Sequence, residues 1–202
     1  MELIKQNELN KAADLLKKGE LVSFPTETVF GIGVVFDNEV AYKHLLEVKR
    51  RPPEKPFSLM ISSKDDISKY AYVDNKTNKL INTFLPGQLT IILKAKENLP
   101  SWVVSKEGKI GIRVPDFMVA NQLINLTGKP LLVPSANHAG DKPCCSSSEV
   151  LKVLDGEIAA VVEGESTSNV ASTIVEITDK SINIIREGVI SKEEIYNCIG
   201  EK

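Results

Sequence analysis

Length, composition and charge exclude several classes of protein. The chain has 202 residues, 42% of them hydrophobic, with a net charge of −2. We therefore expect one α/β domain with a sizeable core, and no globally basic surface for nucleic acid. The N-terminus lacks the apolar stretch of a signal peptide, and no segment reaches the roughly 18 apolar residues of a membrane span. The three cysteines form neither a disulfide framework nor a C-x-x-C metal pair. These features predict a reduced, cytoplasmic protein with no membrane contact.

Hydrophobic spacing and helix-end residues predict helices and strands that alternate along the chain. This alternation favours α/β layers. Because several connections are too short for a crossover helix and 172–186 is typical of a hairpin, the sheet should be mixed. No linker divides the chain, so 1–202 is predicted to be a single domain. The predicted helices lie at 9–16, 40–48, 65–70, 77–85, 117–126 and 146–154, with a last one after Ser191; the predicted strands lie at 21–24, 57–61, 89–93, 110–114, 131–133, 158–162, 172–177 and 182–186.

Hydroxyl and cationic side chains recur where the predicted strands end. No segment contains a Ser/His/Asp or Cys/His nucleophile arrangement or a metal cage, and known phosphate-loop motifs are absent, since position 36 is Phe where G-x-G-x-x-G requires Gly. Cations and hydroxyls on successive loops suit a polyanion, and a nucleoside triphosphate is the obvious candidate. The segments are PTETVFG (25–31), KRRPPEKP (49–56), GIRVP (111–115), PSANHAG (134–140) and STIVEI (172–177), followed by Arg186.

Each of these segments also has a simpler explanation. The basic run at 49–55 could be a solvated face, although its prolines stiffen the loop and favour converging cations. Arg113 lies inside an apolar strand, so it must be paired, exposed at an edge, or directed at an anion. The segment at 134–137 could be an ordinary turn, and Ser172 could be an ordinary strand residue.

Taken in order, the segments resemble the YrdC-like family of threonylcarbamoyl-AMP synthases. The resemblance runs from about Leu15 to Ile190 and covers LVSFPTETVFGIG, KRRPPEKP, LPGQLTIIL, GIRVPD, PSANHAGDKP, STIVEI and IREG. It implies a twisted, mostly mixed β-sheet flanked by helices, with a concave basic substrate face, in the short single-domain form. It also implies condensation of L-threonine, bicarbonate (or carbon dioxide) and ATP to L-threonylcarbamoyladenylate and pyrophosphate. That product serves N6-threonylcarbamoylation of adenosine 37 in tRNA, through a downstream tRNA threonylcarbamoyl transferase complex.

The resemblance also implies roles for individual residues. Catalysis should be electrostatic, through Lys49 and Arg51 and without a protein nucleophile, because the attacking carbamate oxygen belongs to the substrate. No protein metal site is expected, and Mg²⁺ should arrive with ATP. The chain departs from the common pattern at Lys55, Met60 and Gln88, where many members have Asn, His and Pro. The residues expected to bind ATP are Lys49, Arg51, Lys55, Ser135, Asn137 and Arg186, and those expected to bind threonine are Thr28, Arg113 and Ser172.

Two other functions remain open from the sequence. One is a carbamoyl-adenylate-forming domain like that of hydrogenase maturation carbamoyltransferases, although the accompanying acylphosphatase and zinc-finger regions are missing. The other is a non-catalytic double-stranded RNA-binding protein that uses the same basic concavity, and RNA contact on that face is also compatible with the enzyme.

Overall fold

A large twisted sheet organises the molecule. The computed structural model describes residues 1–52, 54, 56–178 and 181–200, so the predicted ATP ligand Lys55 lies outside the described residues. Within this part of the chain the sheet has ten strands, in the order β1-β8-β2-β3-β7-β4-β6-β5-β9-β10. The strands are β1 (Glu2–Ile4), β2 (Val22–Phe24), β3 (Gly31–Val35), β4 (Leu59–Met60), β5 (Leu89–Lys94), β6 (Lys109–Arg113), β7 (Leu131–Leu132), β8 (Ala160–Val162), β9 (Thr173–Ile177) and β10 (Ile182–Arg186).

The helices flank this sheet on both faces. They are α1 (Leu9–Lys17), α2 (Glu39–Lys49), α3 (Ile67–Tyr70), α4 (Asn75–Phe84), α5 (Met118–Thr127), α6 (Ser147–Val153) and α7 (Lys192–Ile199), with 3₁₀ turns at Gln6–Glu8 and Lys64–Asp66.

The sheet is mixed, as the sequence predicts. Parallel pairing joins β1 to β8, β8 to β2, β4 to β6 and β5 to β9, and the other neighbours are antiparallel. The predicted hairpin at 172–186 is confirmed, because β9 and β10 pair antiparallel. A register shift between Ile184 and Arg186 marks an irregularity in β10.

Local chemistry explains where the helices begin and end. The Asn38 side chain accepts from the Ala41 amide at the start of α2, and Gly128 ends α5 in the left-handed conformation at φ +77°. At the start of α7, Ser191 and Glu194 form a complete capping box. The same S-x-x-E spacing at Ser146 gives only half of one, because the Glu149 carboxylate accepts from the Cys145 amide instead of the Ser146 amide.

Two strands are missing from the sequence prediction. β1 has only three residues and forms by parallel pairing with β8, where Glu2 is the partner of Ala160, so no local pattern reveals it. β3 carries Gly31 and Gly33, which weaken a strand signal. Gly31 is required by close packing, since a Cβ there would lie 2.4 Å from Val133 Cγ1. The strand predicted at 57–61 is shorter than expected, with ladder pairing only at Leu59–Met60.

The two faces of the sheet are covered unequally. Helices α2, α4, α6 and α7 contribute to the larger core on one face. On the other face, α1 and α5 pack on the half formed by β1, β8, β2, β3 and β7. The half formed by β4, β6, β5, β9 and β10 therefore stays open on that side, and it carries the candidate site. In the described ranges, no helix combines the length and apolar character needed to cross a bilayer.

Candidate functional site

The open half of the sheet forms the floor of a cavity of about 430 Å³, a volume in the range of small-molecule sites. Strand register sets its floor, since Met60 and Thr90 both pair with Arg113 across neighbouring strands. Alternation with period two then directs Lys109, Gly111 and Arg113 of β6 to the same face. The cavity is thus built from every second residue of several strands, which is why polar residues embedded in apolar strands reach it.

Arg113 is a buried cation held in one orientation. Its side chain is 9% exposed, and Nη2 donates to Glu27 Oε1 at 2.8 Å and to Thr28 Oγ1 at 2.8 Å. Glu27 Oε2 and Arg113 Nε are buried and have no hydrogen-bond partner among the residues that the structure describes. Since charge-assisted bonds to Arg are strong and directional, this pair keeps the guanidinium at the cavity wall.

Ser172 and Arg186 form a second polar group beside Arg113. The Ser172 carbonyl accepts from Arg186 Nε at 3.1 Å and from Nη2 at 2.8 Å, and the Ser172 hydroxyl lies 3.0 Å from Thr90 Oγ1. The irregularity in β10 lets Arg186 turn over the cavity. Burial, and to a smaller extent the charge of Arg113, lower the pKa of Arg186. Because the positive charge of Arg113 disfavours the charged form of Arg186, a bound anion beside Arg186 would be favoured.

Arg51 lines the cavity at the end of α2. Arg50 adopts the left-handed conformation at φ 50° and ends the helix, which turns the chain between Lys49 and Arg51. The Arg51 guanidinium lies 5.1 Å from the centre of the Phe57 ring. Its Nε is buried without a partner in the described ranges, and burial lowers the pKa of the side chain. This cation therefore keeps hydrogen-bonding capacity for a ligand.

Lys49 points away from the cavity and into the loop at 134–141. Its Nζ donates to the carbonyl oxygens of Ser135 and Asn137 and, at 3.0 Å, to Asn137 Oδ1. Asn137 in turn donates to the carbonyls of His138 and Asp141, and its Oδ1 accepts from the Ser135 hydroxyl at 2.6 Å. Burial, followed by the charge of Arg51, lowers the pKa of Lys49 to about 8. Lys49 and Asn137 therefore shape the loop that presents Ser135.

The structure divides the predicted site residues into two layers. Thr28, Lys49 and Asn137 lie behind the cavity wall, each engaged with protein groups. Lys55 lies outside the described residues. Arg186, predicted for ATP, touches Ser172, predicted for threonine, so the two predicted subsites meet at this pair. The individual ligand assignments stay predictions. The predicted residues that line the cavity are Arg51, Arg113, Ser135, Ser172 and Arg186.

Sequence reasoning missed several residues of the site, among them Glu27, Thr90, Lys109 and Glu176. Two of them could have been found from the strand pattern, because every second side chain of a strand faces the same side. Lys109 lies four residues before Arg113, and Glu176 lies four residues after Ser172. Thr90 contacts Ser172, and Glu27 contacts Arg113 from 86 positions away. No local sequence signal reports these contacts.

The cavity carries charges of both signs. Among the described residues its lining includes four cations (Arg51, Lys109, Arg113, Arg186) and three carboxylates (Glu54, Glu107, Glu176). Arg186 contacts Ser172, whose hydroxyl lies beside that of Thr90, whereas Lys109 and Glu176 pair with each other four positions along the strands from Arg113 and Ser172. The expectation that the whole concave face is basic stays a prediction. In the same part of the chain, no group of three or more His, Cys, Asp or Glu side chains is placed to hold a metal ion.

Residues 14–188 match the Sua5/yciO/yrdC protein family, whose description reads telomere recombination. The chain belongs to this family. Its membership confirms the resemblance carried by the seven segments, and it explains the twisted mixed sheet as the family's fold.

Relatives of known name extend this finding. Threonylcarbamoyl-AMP synthase of Bacillus subtilis is 37% identical over 198 residues, which cover 96% of this chain and 57% of that protein. The synthase of Vibrio cholerae is 35% identical over 184 residues, which cover 89% of this chain and 97% of that protein. The crystal structure of P. abyssi Sua5 complexed with L-threonine has a TM-score of 0.93 at 30% identity and covers 100% of this chain and 62% of that one. This member of the family thus spans a little over half of some relatives and nearly all of others.

Proposed function

We propose that this protein is a threonylcarbamoyl-AMP synthase, which condenses L-threonine, bicarbonate or carbon dioxide, and ATP to L-threonylcarbamoyladenylate and pyrophosphate. The observation that carries the proposal is the cavity itself, which is lined by three guanidiniums and by several hydroxyls and has no nucleophile–base pair among its described lining residues. The names of the relatives in B. subtilis and V. cholerae, and the L-threonine complex of P. abyssi Sua5, support it.

The reaction needs positioning and charge neutralisation from the protein. The threonine amine attacks carbon dioxide and loses a proton, which gives a carbamate. A carbamate oxygen then attacks the α-phosphorus of ATP, and the bond from that phosphorus to the bridging oxygen of pyrophosphate breaks. Negative charge grows on the phosphoryl oxygens during this step, and fixed cations stabilise it.

The contacts suggest a role for each arginine. Arg113, buried beside Thr28, would bind the threonine carboxylate, because a cation that Glu27 and Thr28 hold through Nη2 stays fixed and offers its other N–H groups to an anion. Arg186, which touches Ser172 where the two predicted subsites meet, suits the α-phosphate under attack. Arg51 and Ser135 suit the leaving pyrophosphate. Lys49 and Asn137 then act on the nucleotide through the loop that they hold.

Magnesium and the later steps belong to the same proposal. Mg²⁺ would bind through the ATP phosphates, with water and at most one or two carboxylates, as it does in many nucleotide sites. The product would pass to a tRNA threonylcarbamoyl transferase complex, which places the group on N6 of adenosine 37. We propose a cytoplasmic location, which the three free thiols support. RNA contact on the concave face has weaker support, because that face carries both charges.

A direct assay tests the reaction. Purified protein is incubated with ATP, Mg²⁺, bicarbonate and labelled threonine, and both pyrophosphate and a threonine-containing adenylate are measured. We expect both products only when threonine and bicarbonate are present together. Pyrophosphate release that depends on carbamoyl phosphate instead of threonine would replace the proposal with carbamoyl-adenylate formation. RNA binding without either product would replace it with the non-catalytic function.

A further inference from the structure

An ion pair closes the end of the cavity that lies away from the arginines. Lys109 Nζ and Glu176 Oε1 are 2.7 Å apart, and their side chains are 29% and 21% exposed. Both residues line the cavity. The Asn183 side-chain amide donates to the second carboxylate oxygen, Glu176 Oε2, at 3.2 Å.

The strand register makes this pair unlike an ordinary contact between neighbouring strands. Lys109 lies on β6 and Glu176 on β9, and β5 runs between them. Ile92 of β5 is the register partner of both Gly111 and Glu176. The lysine side chain therefore crosses above β5 to reach the carboxylate, and the pair forms a polar wall across the cavity.

The floor between this wall and the arginines is apolar. It consists of Ile92, Gly111 and Ile174, all partly exposed to the cavity. A Cβ at Gly111 would lie 3.2 Å from Ser58 Oγ and 3.6 Å from Thr90 Cγ2. Because residue 111 is glycine, no side chain projects into the cavity at this position. An apolar surface without a side chain at Gly111 suits one face of a planar aromatic ring.

Spacing along β6 relates the two ends of the cavity. Lys109 is four residues from Arg113, which corresponds to about 13 Å in a strand. That separation is comparable with the reach of a nucleotide from its phosphate to the far edge of its base. A phosphate bound by the arginines would thus extend its base over the apolar floor toward the wall.

We infer that Lys109 and Glu176 recognise the base of the nucleotide, with Glu176 accepting a hydrogen bond from the exocyclic amine of adenine and Lys109 donating to ring nitrogen N1. Both groups have the capacity, since a carboxylate offers about four acceptor sites and an ammonium three donors. The described contacts use one oxygen for Lys109 and the other for Asn183. This inference rests on the proposed function for the identity of the nucleotide.

Nucleotide selectivity tests the inference. Dissociation constants of ATP and inosine triphosphate are measured by calorimetry without threonine, so the result does not depend on catalysis. Inosine presents an oxygen and an N–H where adenine presents an amine and a bare nitrogen. We expect the wild type to prefer ATP by at least about 10-fold, the scale of one hydrogen bond to a charged group. Glu176→Gln should reduce that preference to less than about 3-fold, and Lys109→Met should weaken ATP binding about 10-fold.

Lys94→Met provides the matched control, because Lys94 is the register partner of Lys109 on β5 but does not line the cavity. Its nucleotide preference should equal that of the wild type. Unchanged ATP affinity and preference in both test variants would overturn the inference and place the base elsewhere, for example near Phe57. So would a wild type that binds both nucleotides equally. A selective wild type that makes no threonine adenylate would instead overturn the proposed function and leave this subsite standing.

Discussion

The buried pair of Arg113 and Glu27 allows a stringent test of the site, through the variants Arg113→Gln, Glu27→Gln and the double variant. Both side chains are 9% exposed, so removing one charge leaves the other uncompensated in a buried position. Breaking a buried pair in this way costs about 3–5 kcal/mol of unfolding free energy. In the double variant no charge is stranded, and the two amides can still bond to each other. We expect it to cost at least about 1.5 kcal/mol less than the sum of the single variants, within the range for residues in contact.

Urea denaturation measures these free energies, provided that the slope against denaturant stays constant across the four proteins. Substrate kinetics supply the second readout. Arg113→Gln should raise the KM for threonine by roughly 10- to 150-fold, the equivalent of losing 1.5–3 kcal/mol from a charge-assisted bond. The KM for ATP should change much less. The double variant should recover stability, because neither buried charge is left without its partner. It should not recover the use of threonine, because the guanidinium that contacts the threonine carboxylate is still missing.

Two results would refute this reasoning. Additive stability effects, within about 0.5 kcal/mol, would mean that the pair does not balance charge in the fold. Loss of ATP binding with intact threonine dependence would place Arg113 on the phosphates, and the proposed division of the cavity would be wrong.

Three further predictions concern the surrounding structure. Lys49→Met leaves the acceptors of the 134–141 loop without their donor, so it should lower stability by about 1–3 kcal/mol and turnover by more than 10-fold. Arg51→Ala should lower turnover to the same extent but leave stability nearly unchanged. Equal urea midpoints for Lys49→Met and the wild type would contradict the role of Lys49. Burial raises the pKa of Cys144 from 9.0 to about 11, so the folded state holds the thiol proton more tightly than the unfolded state. As the pH rises from 9 to 11, the wild type should therefore lose roughly 2–3 kcal/mol of stability relative to Cys144→Ala, and parallel pH profiles of the two proteins would exclude this. A Cβ at Gly188 would clash with the Ala171 carbonyl oxygen, so Gly188→Ala should lower the free energy of unfolding by about 1–3 kcal/mol, measured by thermal unfolding. An unchanged melting temperature would show that the backbone there moves to accept the side chain.

The sequence by itself determined much of the local structure and the identity of the family. Helix-end residues such as Asn38, Gly128 and Ser191 act within a few positions of themselves, so their effect is readable from the chain. The hairpin of β9 and β10 follows from a short polar connection between two apolar runs, and it is confirmed. The ordered segments also indicated the polar loops that surround the cavity.

Only the tertiary structure decided which polar side chains face the cavity. Lys49 and Arg51 lie two positions apart, yet Lys49 turns into the 134–141 loop and Arg51 lines the site, because the left-handed residue between them changes the direction of the chain. Glu27 holds Arg113, and Lys109 crosses β5 to meet Glu176, through contacts between residues 86 and 67 positions apart. Pairings at such separations depend on strand register and on the need to compensate charge away from water. Neither is encoded in any short stretch of the chain.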